Sequence, residues 1–252
     1  MDIWRYFDVI HGPHTYCNPI SEEAVLELEA VLDLQPGMRV LDIASGLGQM
    51  LLGFAKRHGV RGVGVDVSPY AVRRAEARKA EQAPGADIRF LEMKGEDYTL
   101  GDEAPFDVVM CIGASWIWSG YRGTLDALRR FVKPGGVIVN GEPFWRRDPN
   151  DTYLEIENLK RDEFPTLAQY YANLEQSGLS LVWMRGVTEQ EWDRYEMLQA
   201  VSLDRFAREN PDDPDLGEIR SKLMPGKEAY FRWGRDTLGF AFWVLRDPRD
   251  PA

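Results

Sequence analysis

The sequence predicts an α/β protein: a mostly parallel sheet, doubly wound, with helices on both faces. Three observations carry this. Short apolar runs alternate with helical stretches from residue 39 to residue 141, the rhythm of right-handed βαβ crossovers. The run Val40–Met50 reads as a strand, a small-residue loop and a helix in direct succession. Thr237–Leu245 is apolar at nearly every position, as expected of a strand buried on both faces.

In chain order, Ser21 caps a helix over 21–34 with Glu22 and Glu23 in its first turn, and Pro36-Gly37 ends it. Strands follow at Arg39–Ala44, Gly62–Val67, Asp87–Met93 and Phe106–Ile112. Between and after them lie helices at Met50–Arg57, Pro69–Gln82 and Thr124–Val132. Pro134-Gly135-Gly136 turns the chain into a strand at Val137–Gly141. Glu142–Pro165 reads as a polar and aromatic connection, Thr166–Ser177 as a helix and Leu179–Gly186 as a strand. The charged, helix-forming stretch Thr188–Arg235 breaks at Asn210–Pro214 and is too long for a simple connection. The expected organisation is an N-terminal arm and helix (1–35), the sheet domain (36–187), a helical cap insertion (188–236) and the final strand with its tail (237–252).

The composition supports a large core: of 252 residues, 44% are hydrophobic and 28% charged, which excludes wholesale disorder. Thirty basic against 41 acidic residues give a net charge of −11, so the surface repels phosphate backbones and anionic lipid. No nucleic-acid or membrane partner is expected, nor is there an 18-residue apolar run or a basic-then-apolar start. Two cysteines, Cys17 and Cys111, suit a reducing cytoplasm, although one disulfide stays open. Eight Trp, 10 Tyr and 11 Phe suggest large flat apolar walls.

The chemistry centres on Val40-Leu41-Asp42-Ile43-Ala44-Ser45-Gly46-Leu47-Gly48. Ligands of open parallel sheets bind beyond the carboxyl ends of the strands, and small residues at 44, 46 and 48 let one approach the backbone. A dinucleotide fingerprint wants a third glycine where this chain has Leu51, and an acid such as Asp42 sits badly beside a pyrophosphate. Asp66, ending the second strand, suits the two hydroxyls of an adenosine ribose. The combination favours S-adenosyl-L-methionine (SAM), a cationic nucleoside without phosphates, over NAD(P).

With Phe106-Asp107-Val108-Val109 and Phe131-Val132-Lys133-Pro134-Gly135-Gly136 in order behind these motifs, residues 38–142 resemble a class I SAM-dependent methyltransferase. Gly113-Ala114-Ser115-Trp116, Gly141–Trp145 and Trp192–Glu196 extend the resemblance to small bacterial methyltransferases of undefined substrate. It implies a Rossmann-like, seven-stranded sheet with the last strand antiparallel, SAM as cofactor and S-adenosyl-L-homocysteine (SAH) as product. It also implies that Gly46 and its neighbours pack on the methionine portion while Asp66 holds the ribose. Lys94 stands where the family often has an acid for the adenine amine, so either Asp97 or the backbone at Lys94 and Gly95, beside Val67, reads that ring.

The resemblance further implies an N-terminal arm folded over the cofactor, with Tyr16 and Asn18 near the methionine end. His14 is the candidate base or else part of an ordinary surface arm. Cys111 and Gly113 fall where the backbone passes the methionine, and Trp116 would wall the methyl path. Glu142 could orient a substrate amine or hydroxyl, or cap the next turn. Trp145, and Trp192 with Tyr195 on one helical face, are candidates to line a substrate pocket. No metal is expected, since His11, His14 and Cys17 lack a fourth ligand. The expected activity is methyl transfer to N or O of a small, partly apolar molecule by in-line displacement, from a monomer or homodimer. The competing readings are a non-catalytic SAM sensor and an NAD(P)-dependent oxidoreductase.

Overall fold

Seven strands make one sheet: β1 (Arg39–Ile43), β2 (Arg61–Asp66), β3 (Ile88–Glu92), β4 (Phe106–Ile112), β5 (Val132–Trp145), β6 (Ser180–Gly186) and β7 (Leu238–Arg246). They pair in the order β3-β2-β1-β4-β5-β7-β6 in the computed structural model, which describes residues 1–249. The first five run parallel, and β7 runs antiparallel between β5 and β6. The tail beyond Arg249, expected to follow the last strand, lies outside the described residues.

The helices are α1 (Ile3–Ile10), α2 (Glu22–Leu32), α3 (Gln49–His58), α4 (Pro69–Gln82), α5 (Tyr121–Leu128), α6 (Asp151–Glu157), α7 (Leu167–Ser177), α8 (Glu189–Glu209) and α9 (Leu216–Ala229), followed by a π-turn and a short helical turn. Two apolar cores cover the sheet, one on each face. Val40, Leu51, Phe54, Phe90 and Phe242 belong to one, and Leu41, Ile43, Val109, Tyr170 and Trp243 to the other. This alternation of neighbours along β1 is what period-2 geometry gives when both faces are covered.

Some boundaries differ from the sequence reading. The helix expected at Thr124–Val132 starts at Tyr121 and stops at Leu128, because Phe106 pairs with Val132 across the sheet. The register then jumps, pairing Val108 with Val137, so Pro134-Gly135-Gly136 is the turn the sequence predicts, inside a longer strand. That strand runs on to Trp145, held by β7 as far as Leu238. Helices α1 and α6 stand where an arm and a connection are expected, capped by Asp2 and Asn150.

The stretch expected to cap the sheet also buttresses α1. Ile10 of α1 packs with Leu203, Ile219 and Leu223 of α8 and α9. Ser202 Oγ donates to the Val9 carbonyl, and Arg5 pairs with Asp213 and Asp215. Trp192 is buried against Phe240 of β7, continuous with the sheet core.

Candidate functional site

Strand order reverses between β1 and β4, whose carboxyl ends lead outward in opposite directions. A crevice opens there, as expected at a topological switch point. After β1, the chain turns through Ala44 (φ 60°), Gly46 (φ 53°) and Gly48 (φ 69°) into α3. Positive φ suits glycine best. A Cβ on Gly48 would also lie 2.4 Å from Phe90 Cζ and 2.9 Å from Ala75 Cβ. After β4, Gly113 (φ 73°) donates its N–H to the Gly141 carbonyl at 2.7 Å, and a Cβ there would strike Asn18 Oδ1.

Two adjoining cavities share Trp4, Ala44, Asp66 and Trp116. One, about 190 Å³, is lined by Cys17, Asn18, Gly46 and Gly113. The other, about 310 Å³, is lined by Val67, Lys94, Gly95, Glu96 and Ile117. Asp97 is not among its lining residues. Asp66, at the end of β2, accepts the Gly46 and Ser68 N–H groups at 2.8 Å each. Burial raises its pKa, against those two bonds.

Asp42 is buried beneath the loop. Among the described residues it accepts no hydrogen bond, and burial together with the neighbouring Asp66 charge pushes its carboxyl up to about 8. Ser45 Oγ is likewise buried without a partner. The packing role of the missing third glycine falls to β2, where Gly62 leaves room for Leu51: a Cβ there would lie 2.7 Å from Leu51 Cδ1.

A third cavity, about 620 Å³, meets the first at Gly113 and Trp116. Glu142 lines it and is 6% exposed. Ser115 Oγ and Asn140 Nδ2 both donate to Glu142 Oε1, the second at 3.3 Å. Among the described residues no side chain donates to Oε2. Tyr170 OH donates to Asn140 Oδ1 at 2.5 Å, so a buried chain runs from α7 to Glu142. Burial pushes the Glu142 carboxyl up to about 7, with the Ser115 and Asn140 hydrogen bonds acting the other way.

Several residues expected at the site lie elsewhere. His14 is 3% exposed; its Nε2 contacts the Tyr195 carbonyl at 3.0 Å, its Nδ1 has no partner, and burial lowers its pKa. It faces a small separate cavity with Tyr16, whose hydroxyl donates to Glu22. Tyr195 is spent on His11, OH to Nε2 at 3.1 Å. Trp192 belongs to the core, and Trp145 packs on Tyr153 and Phe164 while its Nε1–H donates to the Arg161 carbonyl. Cys111 is buried within β4, and both cysteines are free.

In place of the cap residues, α1 lays one face along the first cavity: Trp4, Phe7, Asp8 and, just past its end, His11. These positions share a helical stripe. The sequence trace is an Asp2 cap ahead of Ile3-Trp4-Arg5-Tyr6-Phe7, short enough to pass for an arm. Arg74 of α4 also lines the cavity and fastens the arm, binding Asp8 and the Gly12 carbonyl.

The fold and crevice together define a nucleoside-binding α/β protein of the class I methyltransferase architecture. The chain belongs to the SAM-dependent methyltransferases. Residues 40–136 match the family model described as a methyltransferase domain. A SAM-dependent methyltransferase from Thiobacillus denitrificans, solved in complex with SAH, is 33% identical over 97% of this chain and 99% of that one (TM-score 0.89). One from Geobacter sulfurreducens, also solved with SAH, is 32% identical over 96% and 97% (TM-score 0.89). The uncharacterized protein YjhP of Escherichia coli is 32% identical over 97% of this chain and 99% of its own length.

The cofactor is therefore SAM, and the residues fit it. The loop after β1 has small side chains, Ala44 and Gly46, where it lines the crevice, and Asp66 stands between the two cavities. No group of three or more His, Cys, Asp or Glu that could hold a metal occurs among the described residues. Nor, among them, is any helix long and apolar enough to cross a membrane.

Proposed function

We propose that the protein methylates a nitrogen or oxygen of a small, partly apolar molecule held in the third cavity, with Glu142 as general base. The observation that carries this is the meeting of that cavity with the cofactor crevice at Gly113 and Trp116, with buried Glu142 on its wall. When bound, SAM supplies a methyl group on a positively charged sulfur.

The protein's work is then alignment, exclusion of water and handling of one proton. Asp66 takes the ribose hydroxyls, and backbone at Lys94 and Gly95, beside Val67, borders the adenine. Gly46 and Gly113 let the methionine portion pass close to the chain, with Asn18 fixing the arm to β4 through the Ile112 carbonyl. Trp116, 64% exposed and common to all three cavities, screens the methyl path. Glu142 accepts the acceptor's proton, and a carboxyl near neutrality is matched to that task.

The test is SAM carrying a labelled methyl group, incubated with a panel of small N- and O-nucleophiles. Label should reach a member of the panel, at a rate rising with pH through about 7 as Glu142 ionises. Glu142→Gln should lower kcat by roughly 100-fold and abolish that limb, while SAH affinity holds. A protein that binds SAH yet labels nothing would instead be a sensor.

A further inference from the structure

We propose that the acceptor is an amine that enters the third cavity as a cation. This rests on the methyltransferase reading of the same site and narrows the acceptor atom to nitrogen.

The cavity's charge is the first observation. Three carboxylates line it, Glu142, Asp162 and Glu163, against one cation, Lys160. Asp162 and Glu163 also line the neighbouring groove beside Arg122, Arg147 and Arg161, where Arg161 is tied to Asp148 and Asp151. Asp162 and Glu163 are exposed at the rim, suited to steering a cation inward. Its walls are the second: Trp116, Tyr121 and Phe164 present aromatic rings, and ring faces attract ammonium groups. The third is Glu142 itself, buried on the cavity wall, with Oε1 taking both side-chain donors.

Proton chemistry separates the candidates. An alkyl ammonium titrates near ~10.4, about three pH units above Glu142, whereas an aliphatic hydroxyl lies far beyond the reach of such a base. A phenol titrates at about 10 as well, but with Glu142 protonated its anion would still face the carboxylates of Asp162 and Glu163. The balanced step runs as follows. The ammonium gives one proton to the Glu142 carboxylate; its freed lone pair forms the N–C bond; the C–S bond breaks with its electron pair left on sulfur. The positive charge of the sulfonium ends on the methylated nitrogen.

The test uses the full chain saturated with SAH, titrated calorimetrically with three probes of similar body and different charge: phenethylamine, 2-phenylethanol and 3-phenylpropanoate. The amine should bind at least about tenfold more tightly than the alcohol, and the carboxylate least. In the labelled-methyl assay with an amine panel, the Asp162→Asn/Glu163→Gln double variant should raise KM several-fold with kcat falling less than twofold. Amine binding no tighter than the alcohol, or label delivered to hydroxyls and not to amines, would overturn the proposal while leaving the methyltransferase reading intact. Failure of SAH itself to bind would overturn both.

Discussion

A carboxyl group buried without a donor keeps its proton until a cation arrives, and Asp42 is such a group. With its pKa lifted from 3.8 to about 8 by burial and the Asp66 charge, it is largely neutral in the free protein at pH 7. The native chain holds this proton more tightly than the unfolded chain, so Asp42's own contribution to stability without ligand falls as pH rises from about 4 to 8. Binding of cationic SAM should favour the ionised form and release a proton. Calorimetry of SAM binding at pH 7 in two buffers of different ionisation enthalpy should register that release, and Asp42→Asn should abolish it; equal heats in both buffers would show that Asp42 does not titrate on binding. The sequence makes Asp42 and Asp66 legible because strand ends and small-residue loops are local patterns. It does not reveal that His14 and Tyr195 are occupied with each other, since 181 residues separate them.

At the scale of elements, the loop into α3 works because β3 and α4 crowd it from outside. Phe90 and Ala75 close on Gly48 so tightly that Gly48→Ala should destabilise the protein by about 2 kcal/mol or more, lowering Tm by roughly 4–8 °C; an unchanged melting curve would mean the loop is not held as described. The strands and helices between residues 39 and 141 follow from apolar periodicity, with errors of a few residues where pairing partners decide the ends. Helix α1 escapes such reading because at eight residues it is stable only through its contacts. Those contacts come from α8 and α9, so the stretch that resembles a substrate cap holds the cofactor-facing helix.

On the scale of the whole molecule, one reversal of strand order sets the chemistry. The ends of β1 and β2 shape one side of the crevice, while the end of β4 and the long β5 carry Gly113 and Glu142 to the third cavity, where we propose the acceptor sits. The third cavity is formed largely by the 142–165 connection, whose irregular pattern shows in sequence as polar and aromatic residues without a shape. The most direct test of this arrangement is SAH titration of the wild type against Asp66→Ala, with thermal melting confirming that the variant is folded. With Asp66 proposed to take two ribose hydroxyls, its loss should weaken SAH by about 100-fold or more. Unchanged affinity in a folded variant would contradict the account, because the nucleoside would then be held somewhere other than at the carboxyl ends of β1 and β2.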